Sequence, residues 1–356
     1  KPRTRQKLES VNEGNFDGGM AEFQGKLYCT KDSSLIRYTD DTFTTSEFLF
    51  NITQPQRKMY FLSIGEKLYF SNGVDYGVFN QNETMDIWGI DSPILPPVAF
   101  ATSGGLLPKG VYLIAHSYTY GSYETGVSPI TSVTITEDNS KIVFSVPQGE
   151  NAISANIYAQ IGETLFLMKK GFSGEITGIV HDQGKLVKSE QSRKFPPLIN
   201  LAWYKGRVFG TDGNKFYFTN EFDFRQYDPK YNSATVDNTE IKCLMALDDC
   251  LIIATQRAIY KYSGQPLKFN VEVLFEVSMI EGTEFKHERK PIQGFLTNAG
   301  VFTISSDGNV SNISENSVEF SDNYSDGSAI FRMQDGIISV LFSLKQVGEK
   351  SEYENE

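Results

Sequence analysis

Cysteine is scarce in this chain: Cys29, Cys243 and Cys250 are an odd set of three with no CxxC pair and no Cys/His cluster. That excludes a disulfide framework or a zinc site as the device that holds the fold. The three read as small buried hydrophobes, and the one alternative is a bond between Cys243 and Cys250, which flank "LMALDD". Histidine is equally thin, and His116, His181 and His287 have no metal-ligand spacing. No G-x-x-x-x-G-K-[ST] phosphate loop, no G-x-G-x-x-G and no G-x-S-x-G elbow occurs. No stretch approaches about 18 apolar residues, and the basic opening "KPRTRQKLES" is followed by no apolar core, so the expectation is a soluble chain without an export signal. Excess positive charge is missing too. With a formal net charge of −11, the chain does not suit gripping nucleic acid by its phosphates, although an acidic surface would let DNA slide past.

What is present is aromatic and strand-forming. The 26 Phe and 18 Tyr favour pleated surfaces, and 40% hydrophobic with 22% charged residues is a globular balance. Helical periodicity is absent and a hairpin-like unit recurs instead. It reads "GKLYCTKDSSLIRYTD" from Gly25, "EKLYFSNGVDYGVFN" from Glu66, "GRVFGTDGNKFYFTN" from Gly206, "DCLIIATQRAIYKYSG" from Asp249 and "AGVFTISSDGNVSNIS" from Ala299. Starting residues separated by 41, 43 and 50 positions match β-propeller blades of short antiparallel strands. A further strand precedes three of the copies, in "RKMYFLSI", "EIKCLMAL" and "KPIQGFLTN". Turns such as "SNG", "TDGN" and "SDGN" supply the positive φ that hairpins need. The pair "GSAIFRMQDG" and "IISVLFSL" could open one more blade.

The rhythm breaks between about Leu95 and Phe172. After "DSPILPPVAF" come the alternating strands "GVYLIAHSYTY", "SPITSVTIT" and "KIVFSVP", then "ANIYAQIGETLFLMKKG", a hairpin about Gly162-Glu163. Short strands at this density describe a β-sandwich of the fibronectin type III kind inserted into the propeller. The expected division is therefore 1–95 for the first part of the propeller and 96–175 for the sandwich. Residues 176–344 form the second part, and 345–356 a polar acidic tail.

The order of these parts resembles the tail hub and nozzle proteins of tailed bacteriophages. The residues that carry the resemblance are "KLYFSNG", the proline-rich hinge, Gly110-Val111-Tyr112 followed by the "ETGVSP" turn from Glu124 to Pro129, "IYAQ" at Ile157, and "GRVFGTDGNKFYFTNEFDFRQYD". The "IYAQ" departs from the Tyr-Arg pair that often stands there. The resemblance covers about Gly25 to Phe320. It implies a homo-oligomeric ring, a hexamer in this family, assembled in the host bacterial cytoplasm and built into the virion tail. Its partners would be other tail proteins and DNA passing through the lumen without sequence-specific binding. It also implies no enzymatic activity and no cofactor.

Chemistry that would contradict this is weak. A propeller glycosidase needs paired carboxylates or a repeated S-x-D-x-G-x-x-W box. "SSDGNVSNI" at Ser305 lacks the Trp, and the pairs Asp40-Asp41 and Asp248-Asp249 read as solvated turns. "TEDNS" and the "DGN" turns lack an EF-hand pattern. Sequons at Asn51, Asn82, Asn309, Asn312 and Asn323 are expected by chance. Phe216-Tyr217-Phe218 and Phe222-Asp223-Phe224 read as blade core, with sugar platforms or subunit contacts as alternatives. No catalytic, cofactor or metal residue is assigned. The competing readings are a secreted or surface propeller adhesin that binds carbohydrate or protein, and behind it a glycosidase.

Overall fold

In the computed structural model, residues 19–40, 42–161, 164–178, 191–286, 293–305, 307–314, 324–334 and 337–346 are described. His181, His287, Asp41, Ser306, Asn323, the Gly162-Glu163 turn, the basic opening and residues 347–356 lie outside them.

The described residues begin with two four-stranded antiparallel sheets, each in sequence order. The first joins β1 (Met20–Phe23), β2 (Lys26–Lys31), β3 (Ser34–Tyr38) and β4 (Ser46–Asn51). The second joins β5 (Tyr60–Ile64), β6 (Lys67–Ser71), β7 (Tyr76–Phe79) and β8 (Met85–Asp86). The chemistry of the "SNGVD" turn fixes the β6–β7 connection. Asn72 Oδ1 accepts from the amides of Val74 at 2.9 Å and Asp75 at 2.7 Å, and Gly73 sits at φ 87°. Asp75 in turn accepts from Thr53 N at 2.9 Å and Thr53 Oγ1 at 2.6 Å, which ties the turn to the preceding loop.

Eight strands follow: β9 (Val98–Leu107), β10 (Gly110–Tyr120), β11 (Tyr123–Val127), β12 (Thr131–Ile135), β13 (Ser140–Ser145), β14 (Ser154–Ile161), β15 (Thr164–Lys170) and β16 (Ser173–Ile176). One sheet runs β11-β10-β14-β15, with β12 also on β10, and the other runs β16-β13-β9. Their inner faces share a core of Leu107, Tyr112, Ile114, Tyr118, Val133, Ile142, Phe144, Ile157 and Ile176. Alternation produces this directly, since residues two apart on β10 point to the same side. The result is a β-sandwich.

Next come β17 (Arg193–Lys194) and the third four-stranded sheet of β18 (Ile199–Tyr204), β19 (Arg207–Asp212), β20 (Lys215–Phe218) and β22 (Ser233–Thr235). Between β20 and β22 the chain makes an excursion in which β21 (Gln226–Tyr227) pairs with β17. The fourth sheet is β23 (Ile241–Ala246), β24 (Cys250–Thr255), β25 (Ile259–Gln265) and β26 (Lys268–Phe275). The fifth is β27 (Phe285–Lys286), β28 (Gln293–Thr297), β29 (Gly300–Ile304) and β30 (Val310–Asn312). A two-stranded hairpin of β31 (Tyr324–Gln334) and β32 (Ile337–Gln346) ends the described chain. The fold is all-β, with a propeller-like repeat of small antiparallel sheets and an inserted sandwich.

The five hairpins expected from sequence are β2–β3, β6–β7, β19–β20, β24–β25 and β29–β30. In four sheets they are the second and third strands. In the fifth they are the third and fourth, because the short β27 adds ahead of β28. The last pair forms no further four-stranded sheet among the described residues. It is a long hairpin anchored at its base, where Gly327 N donates to Glu281 O at 2.9 Å and Phe342 meets Phe285 edge-on at 6.0 Å. Gly282, at φ 78°, permits this approach, since a Cβ there would stand 2.2 Å from Gly327 O.

The division of the chain differs from the expected boundaries. One compact unit comprises residues 1–86, 197–217 and 233–356, and the other comprises 87–196 and 218–232. Trp88 explains the early boundary: it is 1% exposed, stands 5.8 Å from Phe195, and donates from Nε1 to Phe224 O at 2.7 Å. The excursion joins the sandwich unit through Gln226 Nε2, which donates to Glu124 O at 2.6 Å. A tail beginning at 345 is also too early, because Lys345 and Gln346 complete β32.

Two substitutions test this packing. Phe79 is stacked on Phe70 at 5.1 Å and tilted against Tyr28 at 4.9 Å, so Phe79→Ala is expected to lower propeller-unit stability by about 3–5 kcal/mol in denaturant titration. Gly282→Ala is expected to raise amide exchange in β31 while the sheet of β5–β8 keeps its protection.

Candidate functional site

The inner strands of the propeller unit line a cavity of about 700 Å³. It is bounded by Phe61, Leu62 and Ser63 on β5, residues 201–205 on and after β18, residues 244–248 on and after β23, Glu284 to Lys286, and Gln293. Alternation on β18 buries Asn200, Ala202 and Tyr204 and leaves Trp203 46% exposed at the cavity. Tyr204 is locked from the other side: its hydroxyl donates to Asp249 O at 2.8 Å and Gly264 O at 3.0 Å. Lys205 stands 5.3 Å above the Tyr204 ring.

A charged cluster gathers close to the cavity wall. Lys58 Nζ donates to Glu284 Oε1 at 2.7 Å and sits 5.2 Å from the Tyr60 ring. Lys242 bridges Glu240 at 2.6 Å and Glu281 at 2.7 Å. Burial pushes the Tyr60 phenol well above its ordinary range, and the negative charge of Glu284 adds to this. Burial would lower Lys242, but its hydrogen bonds to Glu240 and Glu281 outweigh that and raise it. Lys242 therefore stays charged, and the cluster ties the wall with ion pairs.

No family model matches the chain, and no curated protein does. Solved structures that resemble it include the extracellular domain of the one-component system BT4673 from B. thetaiotaomicron, at 11% identity and a TM-score of 0.34 over 92% of this chain and 38% of that one. Kluyveromyces lactis Hsv2 gives 10% identity and 0.30 over 91% and 96% of the two chains. The computationally designed protein Ika8 gives 11% and 0.25 over 93% and 98%. The chain spans 38% of the length of the first of these structures. The architecture rests on the strand pairing, and no activity is carried over from these likenesses.

The residues weighed for chemistry stand apart from one another. The three cysteines are buried and free; Cys243 lies opposite Ala254, while Cys250 begins the next strand opposite Ser263. Asp40 is tied into its own loop, accepting from the amides of Thr42, Thr44 and Thr45. Asp307 accepts from Ser305 Oγ and Asn309 Nδ2, an Asx-type turn that braces the "DGN" connection. Asp138, in "TEDNS", accepts from Lys109 N at 2.8 Å. Among the described residues no group of three or more His, Cys, Asp or Glu side chains could hold a metal. Phe216 and Phe218 are blade core, whereas Phe222 is 73% exposed. Asn51 is exposed at the end of β4, Asn82 lies at an exposed turn, and Asn309 and Asn312 are engaged in turn hydrogen bonds. Asp248 alone of these lines the cavity. Sequence reasoning passed over Trp203, Lys58 and Glu284. The usable signal was Trp203 itself, a large aromatic two residues from Leu201 on the less buried side of an alternating strand.

His116 sits in the sandwich with 0% exposure, its ring 5.3 Å from Tyr118, and neither ring nitrogen has a hydrogen-bond partner. Burial drops its pKa from 6.5 to about 4. The folded state thus binds its proton less readily than the unfolded chain, so stability is full above pH 6.5 and falls as the pH drops towards 4. The loss amounts to about 3 kcal/mol over that window. His116→Phe is expected to flatten this part of the acid-unfolding curve followed by the emission of the buried Trp88; an unchanged curve would show that another group titrates.

Proposed function

We propose that the chain is a structural component of a bacteriophage tail, a hub or nozzle subunit that assembles with copies of itself and other tail proteins around the path of the exiting DNA. Its work is assembly and passage, and it performs no catalysis. The observation that carries this is an exposed apolar band on the sandwich unit: Ile94 is 84% exposed, Leu95 57%, Val98 67% and Phe100 54%. Two of these lie on β9, an edge strand of its sheet. Large apolar side chains exposed on and just before an edge strand mark a surface for protein contact, since an isolated subunit gains nothing by wetting them. The formal charge of −11 agrees with a role in which DNA is passed along without being held. The order of propeller, sandwich and propeller is that of the family it resembles, which implies a virion location and a ring of six.

Light scattering combined with negative-stain imaging tests the reading. Rings with an open centre are expected, either from the chain alone or on mixing with tail components. The double substitution Val98→Lys and Phe100→Glu should leave folded subunits that no longer close. A stable monomer indifferent to tail components would overturn the proposal.

A further inference from the structure

We propose that the cavity between the inner strands of the propeller unit binds a neutral polyhydroxylated ligand, a sugar ring or short glycan, stacked on Trp203. This does not rest on the tail reading, and either can fail alone. The volume of about 700 Å³ suits a ligand of one to a few rings. The chain has two tryptophans. Trp88 is 1% exposed, whereas Trp203 is 46% exposed and faces the cavity beside Phe61 and Leu62. An indole held by a rigid strand is a flat apolar platform whose stacking costs little ordering, because the paired β18 backbone already fixes it.

The polar groups around this platform select the ligand class. Lys205, Lys286, Asp248 and Glu284 line the cavity with two charges of each sign, and Glu284 is held by Lys58 at 2.7 Å. An anion would meet Asp248 and Glu284 as well as the two lysines, so neither sign has the lining to itself. Ser63, Asp248, Lys286 and Gln293 also line the cavity, and among the described residues their side chains have no hydrogen-bond or ion-pair partner. They present both donors and acceptors, as a ring bearing several hydroxyl groups requires and a purely apolar ligand cannot use. Uncommitted planar and ammonium groups around an exposed indole are the chemistry that recognises the polar edge and the C–H face of a pyranose together.

The test uses the full chain and its Trp203→Phe variant, whose difference spectrum isolates the Trp203 emission. Glucose, galactose, N-acetylglucosamine and their short oligomers are titrated in turn. A saturable change in the Trp203 component is expected for at least one of them, with a dissociation constant on the order of 1 mM. Calorimetry should show binding weakened at least about tenfold in Trp203→Ala and in Asp248→Ala, while circular dichroism and the thermal unfolding of the full chain report an unchanged fold. A flat titration for every sugar would overturn the proposal, as would affinity retained in Trp203→Ala. Tighter binding of inorganic phosphate or of free arginine would overturn the ligand class. Concentration-dependent shielding of Trp203 without any sugar, matched by a rise in mass, would make the site a subunit contact and also overturn it.

Discussion

The structure depends on one constraint: a four-stranded sheet of short strands has two faces and cannot bury either by itself. In the propeller unit each sheet therefore completes the core of the next. Phe23, Tyr28 and Leu35 from the first sheet share a cluster with Leu68, Phe70 and Phe79 from the second. Phe216 of the third meets Tyr262 of the fourth edge-on at 5.3 Å, and Phe269 of the fourth stands 6.4 Å from Phe209. Cys243, Ile252 and Ile259 of the fourth pack with Phe295, Phe302 and Ile304 of the fifth. The abundance of Phe and Tyr follows from this, because flat rings fill the wedge between twisted sheets with few rotatable bonds. The repeat in the sequence is the trace of that shared requirement.

The same constraint explains what could be read in advance. Hairpins were legible because their signals are local: Asn72-Gly73 needs only its own neighbours to form the turn, and the alternation of "GVYLIAHSYTY" lies within one strand, β10. The unit boundary was not legible, because it depends on where side chains from distant segments meet. Trp88, Phe195 and Phe224 are far apart in sequence, and nothing near Trp88 indicates that its indole N–H will find the carbonyl of Phe224. The "NEFDFRQYD" segment reads as blade for the same reason. Its aromatic alternation fits a strand, yet its hydrogen bonds run to Arg193, Phe195 and Glu124, which makes it part of the sandwich unit.

Buried polar groups divide the molecule into parts that are satisfied and parts that are not. Glu124 Oε1 accepts from Ser117 at 2.6 Å, from Asn156 at 2.8 Å and from Tyr158, a network that holds the outer face of the sandwich by directional bonds. Arg37, nearly buried, is bonded through its two Nη atoms to Tyr28, Glu47 and Glu83, and its Nε alone is left without a partner among the described residues. Against this background His116, with both nitrogens unpartnered, is the weak point of the sandwich, since protonation there creates a buried cation with no counter-charge.

The cavity is the counterpart of the core. Where the inner strands converge, alternation sends every second side chain towards the centre, and the spacing of several such strands leaves room that backbone cannot fill. On β18 that side carries Leu201 and Trp203, while the opposite side carries Ala202 and Tyr204 sealed into the blade. A fold that only needed closure would be served by packing an aliphatic side chain there. Trp203 instead keeps almost half its surface wet, beside uncommitted Asp248 and Gln293, while the ion pairs Lys58–Glu284 and Lys242–Glu281 hold the nearby wall rigid. Rigid support around an exposed, partly polar hollow is the arrangement that favours a ligand over solvent, because the site loses little freedom on binding.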